Sequence, residues 1–386
     1  MRIILISNYI PDNQESMIRF AYLLDEGLKN EGIESEIWTP PVLFGKIAKS
    51  TITGFGKWLG YIDKYVFFPL ILLWRLKGKA HIYSNTQFHI CDHSNSPYLK
   101  YLPINRSSIT CHDVIAIRGG LGYTSFSEAA SFFGKILQKW ILNNLKHAKS
   151  IAFVSQLTLD QFHEVIALTK TPSGKNWRVI LNAFNAEFAP MEFQEAVRLA
   201  RISGMNLDKP FLLHVGSAQP RKNRKLLLDL VSLLQQPSSV NICYAGEALE
   251  RELLEHAGKL GLEKNVFSII KPNHPTLVSL YSLCEAFIFP SFSEGFGWPV
   301  IEAQACGAPV IASNLQPMPE VSGGAALHAD PTNPKEFSNA FSLLEDKSLR
   351  DELIKKGFKN GSRFSKNEMT KAYLNLFQLT DKTYVY

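Results

Sequence analysis

The chain has 386 residues, of which 46% are hydrophobic and 20% charged, a composition typical of a globular protein with two or three domains. Its five cysteines are odd in number and form no CxxC pair, which favours a reduced, cytoplasmic protein. The net charge of +6 is uneven, because residues 1–180 hold 20 Lys and Arg against 13 Asp and Glu. No regular alternation of basic and aromatic residues accompanies this excess, so no nucleic-acid partner is predicted.

Strand and helix patterns alternate along the chain, which predicts βαβ units with parallel sheets. The first strand follows Met1 without a signal-peptide cleavage pattern. Strands of the first half are predicted near Arg2–Ser7, Glu34–Trp38, His81–Ser84, Ser107–Cys111, Ile151–Val154 and Arg178–Leu181. A long helix is expected from about Ser127 to Lys146, with one apolar face formed by Ala130, Phe133, Leu137, Trp140, Ile141 and Leu145.

The basic excess is concentrated between residues 46 and 79. One acid, Asp63, stands there against seven basic residues, Lys46, Lys49, Lys57, Lys64, Arg75, Lys77 and Lys79. They surround the apolar run Tyr65–Trp74, which is too short to span a bilayer, since that needs about 20 residues. Two interpretations stay open: a helix packed on its sheet with basic ends, or a segment lying on an anionic membrane surface. Both can hold for different faces.

Polar residues follow the predicted strand Ser107–Cys111. His112 and Asp113 stand at its carboxyl end, where open α/β sheets place their ligands. A neutral imidazole can both donate and accept a hydrogen bond there. A second polar cluster lies upstream, and its spacing matches no zinc motif; we interpret its members as acceptor-side or structural residues: His89, Asp92, His93 and Asn95.

The second half repeats the alternating pattern after a predicted hinge over Asn182–Lys209. Strands are expected at Phe211–Val215, Val240–Ala245, Val266–Ile270, Ala286–Phe289 and Val310–Ala312, and a final helix at about Lys366–Gln378. The first of these strands leads into Ser217-Ala-Gln-Pro-Arg-Lys-Asn223. Two adjacent cations in such a strand-to-helix loop, Arg221 and Lys222, can bind a diphosphate by charge-assisted hydrogen bonds and stabilise its departure.

The stretch Pro290–Ala303 places two carboxylates eight positions apart around a glycine-rich turn. Pro299 suits a first helical position, so a helix is predicted to begin at about Trp298. Its amino end can hold an anion, and glycines at 295 and 297 allow the backbone to come close to it. Glu294 in the loop and Glu302 in the helix can then accept hydroxyl hydrogens from opposite ends of one ligand. The pattern predicts a site for a sugar joined to phosphate.

The sequence lacks the motifs that are typical of three common classes of nucleotide-binding enzyme. The turn after the first strand, Asn8–Glu15, contains no glycine, which argues against a nicotinamide dehydrogenase. The P-loop pattern GxxxxGK[ST] is absent. We also find no Asp-x-Asp motif of the kind that holds a metal in GT-A glycosyltransferases.

The Glu, seven residues, Glu motif formed by Glu294 and Glu302 resembles that of the retaining glycosyltransferases of family 4 (glycosyl transferases group 1), including bacterial envelope and exopolysaccharide enzymes. The resemblance covers most of the chain. It implies an α/β protein with the GT-B fold, in which two Rossmann-like βαβ domains face a central cleft and a C-terminal helix crosses back to the first domain. Residues 1–185, with about 366–386, would bind the acceptor, and residues 186–365 the nucleotide sugar.

The same resemblance implies roles for individual residues. The catalytic set would be Glu294, His112, Lys222 and Arg221. The donor would be held by Ser217, Arg221, Lys222, Glu294, Gly295, Phe296, Gly297, Trp298 and Glu302, with the last on the ribose. The acceptor side of the cleft would comprise Asp113, which orients the ring of His112, together with Gln14, Ser16 and His93. No metal or other cofactor is implied, because the two cations and the helix end meet the diphosphate charge.

The implied reaction is transfer of a sugar from a nucleoside diphosphate, UDP-glucose being our preferred donor, to an acceptor hydroxyl with retention of configuration. A lipid-linked saccharide acceptor at the inner membrane face suits the basic first domain. The chain departs from the family pattern at Ser217, where many members have arginine, at Asn13–Ser16, where a Gly-Gly is common, and at Ala183. A nucleotide-sugar epimerase of the same fold and a non-catalytic binding subunit therefore stay open as alternatives.

Overall fold

The computed structural model describes residues 2–48, 50–78, 83–123 and 130–381, with side chains as far as 378. These residues form two compact units. The first unit comprises residues 1–185 and 366–386, and the second comprises residues 186–365.

The described part of the first unit is built on a parallel sheet of six strands. These are β1 (Arg2–Ile6), β2 (Glu34–Trp38), β3 (Thr86–Ile90), β4 (Ser107–Cys111), β5 (Ser150–Phe153) and β6 (Asn176–Val179), in the spatial order β2-β1-β3-β4-β5-β6. The helices that accompany them are α1 (Glu15–Asn30), α2 (Gly54–Ile62), α3 (Phe68–Gly78), α4 (Ile115–Leu121), α5 (Phe132–Leu145) and α6 (Gln156–Val165). A π-helical turn, Asp63–Phe67, joins α2 to α3.

Three predictions for this unit needed correction. The third strand lies at Thr86–Ile90 and not at His81–Ser84, of which 81–82 lie outside the described residues. The strand was missed because the buried but polar His89 interrupts its apolar pattern. Helix α5 begins at Phe132, capped by the side chain of Ser131, so its predicted start near residue 127 falls outside the described residues. Strand β6 ends at Val179, two residues before the predicted end.

The second unit has the same architecture. Its strands are β7 (Phe211–Gly216), β8 (Asn241–Gly246), β9 (Val266–Ile270), β10 (Ala286–Phe289), β11 (Val310–Ser313) and β12 (Leu327–Ala329), in the order β12-β11-β10-β7-β8-β9. All are parallel. The helices are α7 (Phe193–Ile202), α8 (Lys225–Ser232), α9 (Arg251–Lys259), α10 (His274–Leu283), α11 (Trp298–Ala305), α12 (Met318–Ser322), α13 (Pro334–Leu343) and α14 (Lys347–Gly361). Helix α7 lies inside the predicted hinge.

Buried apolar strands explain why these sheets form. In β10 all four residues are fully buried, as expected of parallel strands covered by helices on both faces. The last helix, α15 (Lys366–Asp381), belongs to the first unit. Its buried side chains Met369, Tyr373, Leu376 and Phe377 pack with the apolar residues of β1 and α1. The predicted α/β architecture and the return of the final helix to the first domain are confirmed.

Candidate active site

The strand order of the second sheet creates a place for a ligand. From β7 the chain proceeds through β8 and β9 to one edge of the sheet, and from β10 through β11 and β12 to the other edge. Strands β7 and β10 are therefore neighbours at which the strand order reverses. The loops that leave their carboxyl ends diverge, and open α/β sheets bind ligands in the crevice that results.

Backbone and side-chain hydrogen bonds join these two loops. The loop after β7 forms a short helical turn at Pro220–Lys222. The carbonyl of Arg221 accepts a hydrogen bond from the amide of Phe292 at 2.8 Å. Asn223, in a left-handed conformation, donates from its side chain to the carbonyl of Pro290 at 3.3 Å and to that of Pro331, in the loop after β12, at 2.7 Å. The loops therefore hold a fixed arrangement.

A buried group of charges lies where the loops meet. Lys222 Nζ is 2.6 Å from Glu294 Oε1, and an Arg221 guanidinium nitrogen is 2.8 Å from Glu294 Oε2. The same guanidinium donates to the carbonyl of Ser293 at 2.7 Å. Only 8% of the surface of Lys222 or of Glu294 is exposed. Residues that lie 72 and 73 positions apart in the sequence thus form one network of two cations and one carboxylate.

Burial and charge act on these groups in opposite directions. Burial raises the pKa of Glu294, but the attraction of Lys222 and Arg221 outweighs it and holds that pKa below its ordinary value. Burial lowers the pKa of the Lys222 amine even against the attraction of Glu294. An additional anion close to the two cations would stabilise the charged form of the lysine.

The amino end of α11 adds backbone donors next to this network. Gly297 has a φ of 103°, and a Cβ there would lie 2.5 Å from the methyl carbon of Met318, so the turn requires glycine. Helix α11 begins at Trp298, as predicted, with Pro299 in its first turn. The turn contains buried Phe296, whose ring lies 5.7 Å from that of the half-buried Trp298.

Glu302 has a partner that the sequence did not indicate. It lies in α11 and is buried, and its Oε2 accepts a hydrogen bond from the hydroxyl of Tyr281 at 3.0 Å. Burial, reinforced by the charge of Glu302, raises the pKa of Tyr281 well above its ordinary value, so the phenol stays a donor. The tyrosine fixes one oxygen of the carboxylate and thereby its orientation.

The first sheet also reverses its strand order, between β1 and β3. The side chain of Asn8, after β1, donates to Asp92 Oδ2 at 2.6 Å and accepts from Asn95 at 3.0 Å, both of which follow β3. Asn8 also donates to the exposed Gln14. The upstream polar cluster of the sequence is thus located at this switch point, apart from His89. That residue is buried between the hydroxyls of Ser108 and Thr110 and is structural.

The remaining predicted residues of the first unit occupy the same edge of its sheet. His93 Nδ1 lies 3.1 Å from Asp92 Oδ1, and this contact raises the pKa of His93 although burial opposes it. Ser16 is exposed in the first turn of α1. His112 is buried, and its Nε2 lies 2.9 Å from the carbonyl of Cys91.

The predicted role of Asp113 needs correction. Its carboxylate accepts a hydrogen bond from the amide of Ile115 at 2.9 Å, which satisfies the start of α4. The carbonyl of Cys91 and the edge-on ring of Phe20, at 4.8 Å, orient the His112 ring instead. The Nδ1 atom of His112 is buried without a hydrogen-bond partner.

A cavity of about 310 Å³ opens at the other end of the first sheet. It is lined by residues at the starts of β4 and β5, such as Ser107 and Lys149. Because ligands of parallel sheets bind at the carboxyl ends, we do not assign catalysis to it. Within the described ranges, no group of three or more His, Cys, Asp and Glu residues is placed to hold a metal ion.

Two α/β units, each built on a six-stranded parallel sheet, form the GT-B fold, and the second unit carries paired cations and a carboxylate at its switch point. Solved structures share the fold. Sucrose-phosphate synthase from Thermosynechococcus elongatus has a TM-score of 0.73 and 17% identity, with full coverage of both chains. Anabaena Alr3699/HepE, solved with UDP and glucose, has a TM-score of 0.70 and 16% identity, covering 98% of this chain and 99% of that chain.

Residues 198–360 match the family model described as Glycosyl transferases group 1. The predicted resemblance is therefore confirmed. A curated relative, O-antigen chain mannosyltransferase B of Escherichia coli, is 28% identical over 253 residues. The match covers 64% of this chain and 64% of the relative, which is less than two thirds of the relative's length.

Proposed function

We propose that this protein is a retaining glycosyltransferase that moves a sugar from a nucleoside diphosphate to an acceptor hydroxyl in cell-envelope polysaccharide synthesis. The observation that carries the proposal is the buried network of Arg221, Lys222 and Glu294 at the β7–β10 switch point. One buried and one partly buried cation, Lys222 and Arg221, share a single carboxylate and can bind a further anion, and a diphosphate supplies that charge.

The donor would bind with its diphosphate on Arg221 and Lys222 and against the amides that precede α11. As the diphosphate takes up the cations, Glu294 becomes available to accept hydrogen bonds from the sugar hydroxyls. The cations then stabilise the negative charge that develops on the leaving group. They supply the positive charge that the reaction needs, so we propose that the transfer is independent of a metal ion.

The other end of the donor would lie on Glu302. Its carboxylate, with one oxygen held by Tyr281, is suited to accept hydrogen bonds from the two hydroxyls of a ribose. The acceptor would attack from the face that the leaving group departs, with a donor phosphate oxygen taking its proton. Catalysis then comes mainly from positioning and from electrostatic stabilisation.

We assign the acceptor to the first unit. His112 contributes the buried, unpartnered Nδ1 described above, and Asn8, Gln14, Ser16 and His93 line the edge of its sheet. We propose a lipid-linked saccharide as the acceptor, a cytoplasmic location, and contact of residues 46–79 with the inner membrane face. The cationic character of that segment supports this contact.

We propose UDP-glucose as the donor, in line with the UDP and glucose bound to the Anabaena protein of the same fold. A mannosyl donor is the second candidate, because the curated relative is named a mannosyltransferase.

Thermal unfolding in the presence of UDP, GDP, ADP and their sugar conjugates tests the donor site, with NAD as the control. A ligand at 100 times its dissociation constant adds about 2.7 kcal/mol, which corresponds to a rise in Tm of roughly 5–10 °C for a unit of this size. We expect one nucleotide to produce this rise and NAD to produce none. No rise with any nucleotide would contradict the proposal.

Measurement of turnover tests the sugar-transfer step. Lys222→Ala should lose most transfer while remaining folded, because the leaving group loses a cation. Near-normal activity in this variant would remove the phosphate-binding role. Conversion of the nucleotide sugar to its epimer without any acceptor would instead identify an epimerase.

A further inference from the structure

The described helices α2 and α3, with the π-helical turn between them, expose an apolar face that runs along residues 54–78. Between residues 58 and 74 every exposed side chain is apolar: Trp58, Ile62, Val66, Leu70 and Trp74. Phe55 extends the row by one turn and is 76% exposed. The opposite side of these helices packs into the first unit through buried Phe68 and Leu72.

The π-helical turn keeps this row on one side. A spacing of four residues in an α-helix moves the position by about 40° around the axis at each step, so a long row would wind away. The wider turn at Asp63–Phe67 offsets part of that rotation. The turn also directs Asp63 inwards, where its carboxylate accepts hydrogen bonds from Tyr9 and the amides of residues 43–45.

A second segment, distant in sequence, extends the apolar face. The ring of Phe133, in α5, lies 5.2 Å from that of Trp58 in an edge-on contact. Phe132 and Ile136 beside it are 72% and 51% exposed. We call the combined surface, formed by the row on 55–74 and by Phe132, Phe133 and Ile136, the apolar face.

The exposed charges of the two segments that carry the apolar face have one sign. Residues 44–78 and 130–147 contain a single acid, Asp63, and it is fully buried. The exposed charged side chains of these segments are all cationic: Lys46, Lys57, Lys77, Lys135, Lys139 and Lys146. Apolar side chains with a cationic border match an anionic lipid surface, which accepts both. A second copy of the same surface would bring like charges together.

We propose that the apolar face inserts into the headgroup region of an anionic bilayer, with α2–α3 parallel to the membrane plane and α5 as a second point of insertion. None of the helices in the described ranges combines the length and the hydropathy needed to cross a membrane. The proposal deepens the proposed membrane contact and rests on it, but vesicle binding requires no nucleotide. Its failure would leave transfer to a soluble acceptor intact.

Sedimentation with vesicles of phosphatidylcholine, with or without phosphatidylglycerol, tests the proposal. The wild type should bind the anionic vesicles more tightly, and salt should weaken that binding. Phe55→Ser, Trp74→Ser and Phe132→Ser combined should lower the affinity at least tenfold. The matched control, Phe193→Ser with Ile202→Ser, replaces side chains of similar exposure in the second unit and should leave binding unchanged.

Two further measurements test the proposal independently: the effect of removing one lysine charge, and the depth to which the tryptophans enter the bilayer. Lys57→Gln should weaken binding to anionic vesicles about fivefold, whereas Lys259→Gln, exposed in α9, should not. Lipids with brominated acyl chains should quench tryptophan emission, and Trp58→Phe with Trp74→Phe should abolish most of the quenching. Absence of vesicle binding, or quenching that survives this double substitution, would overturn the proposal. Self-association through the face without lipid binding would do the same.

Discussion

Replacement of Glu294 by Gln separates the contribution of the charged network to stability from its contribution to sugar transfer. The substitution keeps the shape of the side chain but leaves Lys222 and Arg221 without their carboxylate, at contacts of 2.6 and 2.8 Å. Removing one partner of a buried ion pair costs about 3–5 kcal/mol. Because the Arg221 side chain is 22% exposed to water, we expect the lower end, about 3 kcal/mol.

Calorimetry or dye-based thermal unfolding measures this loss. For a unit the size of residues 186–365, about 3 kcal/mol corresponds to a fall in Tm of roughly 6–12 °C. Glu195→Gln is the matched control, since it breaks an exposed ion pair with Arg198 and should move Tm by no more than about 2 °C. A Glu294→Gln variant that unfolds like the wild type would refute the argument from burial.

The pH dependence has a definite sign. The folded-state pKa of Glu294 is lowered, so its contribution to stability is present above the unfolded pKa and is lost as pH falls through the folded value. The difference in Tm between the wild type and Glu294→Gln should therefore shrink in acid. A constant difference would mean that the carboxylate is not ionised in the folded protein.

Nucleotide binding should stabilise the Glu294→Gln variant more than it stabilises the wild type. A diphosphate replaces the missing charge, so Glu294→Gln should bind the bare nucleotide at least as well as the wild type and gain more in Tm from it. Sugar transfer should still fall by about 100-fold, or 2.7 kcal/mol of transition-state stabilisation. Equal losses in nucleotide affinity and in transfer would contradict this division of roles.

Three further outcomes are expected. Tyr281→Phe should raise the Kd for the nucleotide more than that for its 2′-deoxy form, because Glu302 loses its orienting hydrogen bond; equal effects on both would exclude an action through the ribose. Gly297→Ala should lower the unfolding free energy by about 1–3 kcal/mol because of its φ and the proximity of Met318, and unfolding in urea measures it. Burial lowers the pKa of His89 to about 3, so between pH 6.5 and 3 only the unfolded chain gains this proton, and stability falls by about 1.4 kcal/mol per pH unit. His89→Gln should make the measured slope shallower by that amount, and an unchanged slope would contradict it.

Local sequence patterns predicted those strands and helices whose formation depends on residues close together in the chain. Strand β10 reads as an uninterrupted apolar run, and Pro299 marks the start of α11, so both were located correctly. Strand β12 was missed because it has three residues, two of them only partly buried. Helix α7 was missed inside the hinge, although Glu192 caps it by accepting from the next amides.

The contacts within the site depend on strand order, which no local pattern contains. Arg221 and Glu294 were each recognised from their own loops, but their contact requires β7 and β10 to be neighbours. Likewise, nothing close to Asn8 in the sequence indicates its bond to Asp92. Tyr281 reads as an ordinary core aromatic until α10 and α11 are packed together.

The return of α15 to the first unit has a consequence for biosynthesis. The ribosome must complete all of residues 186–365 before it makes the helix whose Tyr373 hydroxyl lies 2.8 Å from Thr110 in β4. Until then the apolar side chains of β1 and α1 that contact this helix are exposed. During synthesis the second unit is thus able to fold first. The incomplete first unit then still exposes apolar surface that chaperones and proteases can bind.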